Sequence, residues 1–257
     1  MKWITLSLAT VASALQTLPP VHFDDTGSGH NKGFSLATTD RTVYLDADFA
    51  SWKDHNGLTL IPPSASDFAN TFRDDLQELT NSSWELRTVK QFPKHTSGIF
   101  LSRADNPGRF TYENGRETEE GYELEIQDGS VLIRGSGARG MWWGTRTLLQ
   151  QLLLTHSYLQ TGRVKDAPAY ATRGFLLDAG RKWYSLEFLK DLCTYASFFK
   201  MSEFQYHATD NYPLSRGQNE TWNEVYSQFS LHPESEALHP LVQRPNETLS
   251  RAEFDDF

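Results

Sequence analysis

A single cysteine, Cys193, occurs in the 257 residues, so no intramolecular disulfide can staple the fold. It sits on the apolar side of a helix-patterned segment, where it reads as a small core residue rather than a nucleophile. Cys/His clusters at zinc-site spacing are missing and the eight histidines are scattered, so neither a metal nor a cofactor is expected. Positive charge is also scarce: 24 Lys and Arg stand against 33 Asp and Glu, a net charge of −9. A chain this acidic lacks the basic face that nucleic-acid binding requires. Polybasic attachment to a membrane surface is disfavoured for the same reason. No apolar run approaches the roughly 20 residues needed to span a bilayer. The Gly-x-Ser-x-Gly elbow of α/β hydrolases is absent as well.

What is present is enough for a sizeable core, with 38% hydrophobic and 13% aromatic residues. The length fits one large domain or two modest ones. The first residues, MKWITLSLATVASALQ, combine Lys2, an apolar stretch from Trp3 to Val11 and the small-x-small pattern Ala12-Ser13-Ala14. They read as a secretory signal over residues 1–14. Three Asn-x-Ser/Thr sequons, at Asn81, Asn219 and Asn246, agree with a secreted or lumenal (extracellular or vacuolar) glycoprotein.

Periodicity divides the rest. Thr42-Val43-Tyr44-Leu45 is the clearest piece of a β-like stretch from Phe34. Phe68, Phe72, Leu76 and Leu79 then recur at helical spacing behind a cap at Ser66 or Asp67. Strand-like runs follow at Trp84–Arg87, Gly98–Leu101, Tyr122–Ile126 and Ser130–Ile133, the last two forming a hairpin around Asp128-Gly129. A second helix runs through GARGMWWGTRTLLQQLLL, with Met141, Thr145, Leu148, Leu149 and Leu152 on one face. This half, residues 20–162, reads as a small α+β domain with helices laid on an antiparallel sheet. GSGARG, Gly135–Gly140, lacks the Lys-Ser/Thr of a phosphate loop and reads as a strand-to-helix turn. Gly162–Ala171 reads as a linker.

Beyond it lies a strand–helix–strand unit: Arg173–Leu177, a helix capped by Ser185 with Leu189, Leu192, Cys193, Ala196 and Phe199 on its buried face, and Glu203–Asp210. Two strands joined through one helix must run parallel with a right-handed crossover. Asp178, Arg181, Asp210 and Asn211 thereby fall at or past the C-terminal ends of neighbouring strands, where parallel sheets and α/β barrels bind ligands.

The block from Tyr170 to Asn211, YATRGFLLDAGRKWYSLEFLKDLCTYASFFKMSEFQYHATDN, resembles the opening of the catalytic barrel of glycoside hydrolase family 20, the β-N-acetylhexosaminidases. The matching positions are Arg173, Gly174, Asp178, Arg181, His207, Thr209 and Asp210. The preceding EEGYELEIQDGSVLIRGSGARGMWWGTRTLLQQLL resembles the end of the non-catalytic α+β domain of that family. The fold implied is an α+β domain followed by the first β-α-β portion of a TIM (β/α)8 barrel, residues 172–257. The resemblance implies hydrolysis of terminal non-reducing N-acetylhexosamine residues with retention, the sugar's own acetamido oxygen acting as nucleophile. Substrates would be N-acetyl-β-hexosaminide oligosaccharides or glycoconjugates, and a homodimer of the full-length form is admitted.

Arg181 matches the arginine that binds hydroxyls of the terminal sugar, a task suited to a guanidinium fork. Asp210 matches an acid of the network that supports the general acid, with His207 and Asp178 as its structural support. The sequence departs from the family at Asn211, Gln205 and Lys182. It also contains no acidic pair in the place of the catalytic Asp-Glu, which follows a fourth strand. Glu119-Glu120 precedes a strand of the first domain and reads as a solvated turn. Only about 85 residues run from Arg173 to Phe257, against roughly 250 in such a barrel. Ser250-Arg251-Ala252-Glu253 opens a helix just before the chain stops, which reads as an incomplete copy of a longer enzyme, inactive alone. The alternative is a non-catalytic secreted sugar-binding or interaction protein derived from that family.

Overall fold

The computed structural model describes residues 17–25, 33–54, 62–155, 157–180, 182–209, 230–242 and 244–257. The leader read over residues 1–14 and the sequon at Asn219 lie outside them; Asn81 and Asn246 are exposed. Two compact units are present, Met1–Tyr170 and Ala171–Phe257.

The first unit is built on seven strands: β1 (Phe23–Asp25), β3 (Thr42–Asp46), β4 (Glu85–Val89), β5 (Gly98–Arg103), β6 (Tyr122–Gln127), β7 (Ser130–Gly135) and β9 (Gly162–Asp166). Two short strands, β2 (Gly33–Ser35) and β8 (Tyr158–Gln160), pair beside them. The large sheet has the order β1-β9-β6-β7-β5-β3-β4. It is mixed, which corrects the antiparallel sheet expected from sequence: β7, β5, β3 and β4 run parallel. Helices and long connections between those strands make the parallel arrangement reachable, whereas the tight Asp128-Gly129 turn enforces the antiparallel β6–β7 hairpin.

The stretch read as a linker begins as β9. Val164 is buried while Arg163 and Lys165 face outward, a period-two pattern too short to stand out beside its charges. The buried Tyr122 hydroxyl donates to Asp166 Oδ2 at 2.8 Å, tying β9 to β6.

Among the described residues three α-helices accompany the sheet: α1 (Ala47–Ala50), α2 (Ala65–Thr80) and α3 (Ala138–Leu154). The cap of α2 is Ser64, two residues before the expected position. Its hydroxyl accepts from Asp67 N at 3.2 Å, and the Asp67 carboxylate accepts from Ser64 N at 2.8 Å. Asp67 is therefore the third residue of a capping box rather than the cap itself. Ala65, Ala69, Phe72 and Leu76 form the buried stripe of α2. By contrast α3 is buried around almost its whole circumference, including the polar Thr145, Arg146, Thr147, Gln150 and Gln151. Arg146, 4% exposed, reaches Asp75 of α2 at 2.5 Å and lies 3.6 Å above the Trp142 ring. Trp142 stacks in turn on Phe68.

The approach of α3 to the sheet depends on missing side chains. A Cβ on Gly140 would stand 2.1 Å from the Gly121 carbonyl oxygen, and one on Gly144 would stand 2.5 Å from Ile133. Four residues apart on one helix face, these glycines form a flat strip against β6 and β7.

In the second unit, β10 (Gly174–Asp178) and β11 (Glu203–His207) pair in parallel across α4 (Leu186–Phe198), as the strand–helix–strand reading predicts. Ser185 caps α4 by accepting from Phe188 N at 3.3 Å. Leu189 and Ala196 are buried, whereas Leu192, Cys193 and Phe199 are only half-buried. A last helix, α5 (Arg251–Asp256), opens with the expected capping box at Ser250 and Glu253. It brings the Phe254 and Phe257 rings against Tyr206, and Phe257 against Phe204.

Gly140→Ala gains about 1 kcal/mol of helix propensity but forces a backbone clash whose overpacking cost is about 1–3 kcal/mol or more. The clash should win. Urea unfolding is expected to show a lower midpoint, opposite in sign to an ordinary helical Gly→Ala change.

Candidate functional site

The parallel register of β10 and β11 places Asp178 opposite His207 at the C-terminal ends of the two strands. Residues paired across a sheet share a face, so the carboxylate and the imidazole sit side by side, both half-buried. The chain then folds back over the end of β11: Ala179 N donates to Leu177 O at 3.1 Å and Gly180 N to His207 O at 2.8 Å. Ser230, 4% exposed, fastens this turn by donating to Ala179 O at 2.6 Å. No sequence signal marked Ser230, because a serine in a long polar connection carries no periodicity. Arg181, Asp210 and Asn211, the other residues expected on this rim, lie outside the described residues.

Arg173, which opens the motif, sits at the opposite end of its strand. Its guanidinium donates to Lys200 O at 3.0 Å and to Ala171 O at 3.3 Å, and its backbone N–H meets Ser202 Oγ at 3.0 Å. It closes the turn before β11 and is a fold residue. Asp178 and His207 are the motif residues that stand at this end of the two strands among the described residues.

The acidic pair in the first unit departs from its sequence reading. Glu120 is not in a solvated turn; it is 1% exposed. Its carboxylate accepts from Tyr112 Oη at 2.9 Å and Trp143 Nε1 at 3.0 Å, and lies 3.7 Å from Arg139. The folding of the 110–120 segment onto α3 buries it, and those donors satisfy it. Beside it, Asp54 caps α3 from far away in sequence, accepting from Ala138 N and Arg139 N at 2.7 Å each and from Arg139 Nε at 3.1 Å. The glycine-rich turn therefore already holds an anion, and it is a side chain of this protein. Burial pushes the Asp54 carboxyl above its ordinary 3.8, against the pull of Arg139 and the two amide donors. Burial likewise raises the Cys193 thiol, which suits a packing residue and not a nucleophile. Among the described residues no cluster of three His, Cys, Asp or Glu side chains could hold a metal ion, and no helix is long and apolar enough to cross a membrane.

Two outcomes follow for this carboxylate. Asp54→Ala removes both backbone caps and leaves Arg139 without its nearest acid, and should cost about 2–3 kcal/mol in urea unfolding. Because the folded carboxyl binds its proton more readily than the unfolded one, its contribution to stability falls as pH rises above 3.8 toward the raised value. Asp54→Asn should flatten that part of the stability–pH curve.

The sequence model described as glycosyl hydrolase family 20, domain 2, matches residues 30–167, more than half of the chain and inclusive of β9. A beta-hexosaminidase of Porphyromonas gingivalis is 34% identical over 102 residues, covering 36% of this chain and 13% of that protein. A chitooligosaccharidolytic beta-N-acetylglucosaminidase of Bombyx mori is 30% identical over 123 residues, covering 42% of this chain and 20% of that one. The chain thus spans a fifth or less of these relatives. Among solved structures, the beta-N-acetylhexosaminidase of Bacteroides fragilis superposes with a TM-score of 0.58 at 14% identity, over 94% of this chain and 41% of the other. That likeness gives the fold: an α+β domain followed by the start of a barrel. With the family model matched over every strand and helix from β2 to β9, the chain belongs to glycosyl hydrolase family 20.

Proposed function

We propose that this chain is part of a secreted or lumenal β-N-acetylhexosaminidase that removes terminal β-linked N-acetylhexosamine from oligosaccharides and glycoconjugates. The observation that carries the reading is the β10–α4–β11 unit with Asp178 and His207 aligned at its C-terminal rim, in a chain of this family. The face they share is open: Leu176, two residues before Asp178, is 53% exposed, as is suited to the interior side of a (β/α)8 barrel that further strands would fill. The names of the relatives favour the hydrolase over a non-catalytic binding protein.

In this reading Arg181 donates its fork to hydroxyls of the terminal sugar, while Asp210, with His207 and Asp178 behind it, sustains the charge network of the general acid. The acetamido oxygen of the substrate attacks its own anomeric carbon, so no covalent enzyme intermediate and no cofactor are needed. The glutamate that protonates the leaving oxygen and the aspartate that orients the acetamido group are not among these 257 residues. Asn81, Asn219 and Asn246 are the glycosylation sites of the secreted form.

The test is to follow the reading frame past Phe257 and assay both products on an aryl N-acetyl-β-glucosaminide. The 257-residue chain should give no turnover. A product that continues through further strand–helix repeats should turn over, and Arg181→Ala should lower its kcat/KM on the order of 100-fold. Saturable hydrolysis by the short chain, or an Arg181→Ala enzyme of undiminished activity, would refute the assignment.

A further inference from the structure

A trough of about 800 Å³ lies on the face of the sheet at its β3–β4 margin, within the roughly 300–1,000 Å³ of small-ligand sites. Its floor follows from strand periodicity. Thr42 pairs with Glu85 and Tyr44 with Arg87, so these four side chains project on one face and Val43 and Leu45 on the other. Thr42 and Tyr44 are themselves buried, whereas Glu85 and Arg87 are exposed. Asp40 and Arg41 lead into the trough from one end, and Gln91 and Thr96 wall it from the connection between β4 and β5.

The floor is built, not incidental. Tyr44 stacks on Phe100 with ring centroids 5.0 Å apart and planes at 10°, and Phe92 closes on Phe100 edge-on at 5.1 Å. Gly98 makes room for this: a Cβ there would stand 2.8 Å from the Thr42 carbonyl oxygen and 3.2 Å from the Tyr44 ring. At the mouth, Arg41 holds a left-handed backbone with φ of 51°, a conformation costing about 1 kcal/mol or more for a non-glycine residue. The backbone there is locked by Glu85 N donating to Arg41 O at 3.0 Å and Ser97 Oγ accepting from Asp40 N at 2.8 Å. Among the described residues the Arg41 guanidinium has no hydrogen-bond or ion-pair partner.

Charge decides the class of ligand. Two guanidiniums, Arg41 and Arg87, are balanced by two carboxylates, Asp40 and Glu85, and Arg87 already pairs with Glu85 at 2.5 Å. An anionic ligand would meet as much repulsion as attraction. A peptide strand would add to the free backbone edge of β4, whereas the trough is lined by side chains on the face. Forked donors and acceptors set beside the apolar Val89 and Pro93 match vicinal hydroxyls on one side of a sugar and its C–H groups on the other. We propose that this trough binds a neutral oligosaccharide chain. It stands on its own residues and does not depend on the glycosidase reading.

The test is a titration of the ¹⁵N-labelled 257-residue chain with tri-N-acetylchitotriose, read by amide shifts. Saturable shifts at Arg41, Arg87 and Thr96 are expected, with binding weakened about tenfold by Arg41→Ala and by Arg87→Ala, each with an unchanged thermal midpoint. Shifts confined to Asp178, Gly180 and His207 and indifferent to both substitutions would overturn the trough while leaving the glycosidase reading in place. No shift at the trough residues at millimolar sugar, or trough shifts produced only by a sulfated oligosaccharide, would overturn it as well.

Discussion

Burying α3 on nearly every side brings two guanidiniums, Arg139 and Arg146, into the first unit, and the architecture around that helix answers their charge. Asp75 on α2 meets Arg146, while Asp54 and Glu120 flank Arg139 from two separate loops. An interior charge without a partner costs several kcal/mol, so these contacts dictate where α2, the segment after α1 and the 110–120 segment must lie. The helix can sit this deep because Gly140 and Gly144 let it approach β6 and β7, and because Gln150 exchanges two hydrogen bonds with the Leu18 backbone on its far side. Packing and polar satisfaction are one problem here, solved together.

The second unit follows a different logic. Its strands are tied at one end by Arg173 and Ser202 and at the other by the turn through Ala179 and Gly180, which Ser230 holds. The same short motif thus serves two ends of a strand: its first residue secures the fold and its later residues face the rim. That division explains why an arginine, a glycine and an aspartate at fixed spacing occur together without forming one cluster in space. Backbone direction in a parallel unit turns both strand ends, and the loops after them, the same way.

Both units expose some large apolar side chains, Leu153 and Leu154 among them in the first. The first presents a sheet face whose charges are mutually neutralised: Glu125 meets Arg134 and Arg163, and Glu123 meets Arg109. Such a face is well solvated and balanced locally even though the whole chain is acidic. The second also leaves apolar groups open, including Leu176, Tyr195 and Met201.

Much of this was readable in the sequence because it rests on local rules. The β6–β7 hairpin, the parallel β10–β11 pair, the caps at Ser185 and Ser250, and the rim position of Asp178 each follow from a period, a turn residue or a cap within a few residues. The resemblance of two consecutive blocks to one family supplied the order of the units. Other features required the folded chain. The parallel half of the large sheet, the strand hidden in a supposed linker, the burial of Glu120 and the capping of α3 by Asp54 depend on partners distant in sequence, Phe23 facing Val164 and Asp54 meeting Arg139. Local patterning specifies which face of an element is apolar. Only tertiary contact decides which distant carboxylate meets a buried guanidinium, because that choice is made by desolvation and geometry in three dimensions.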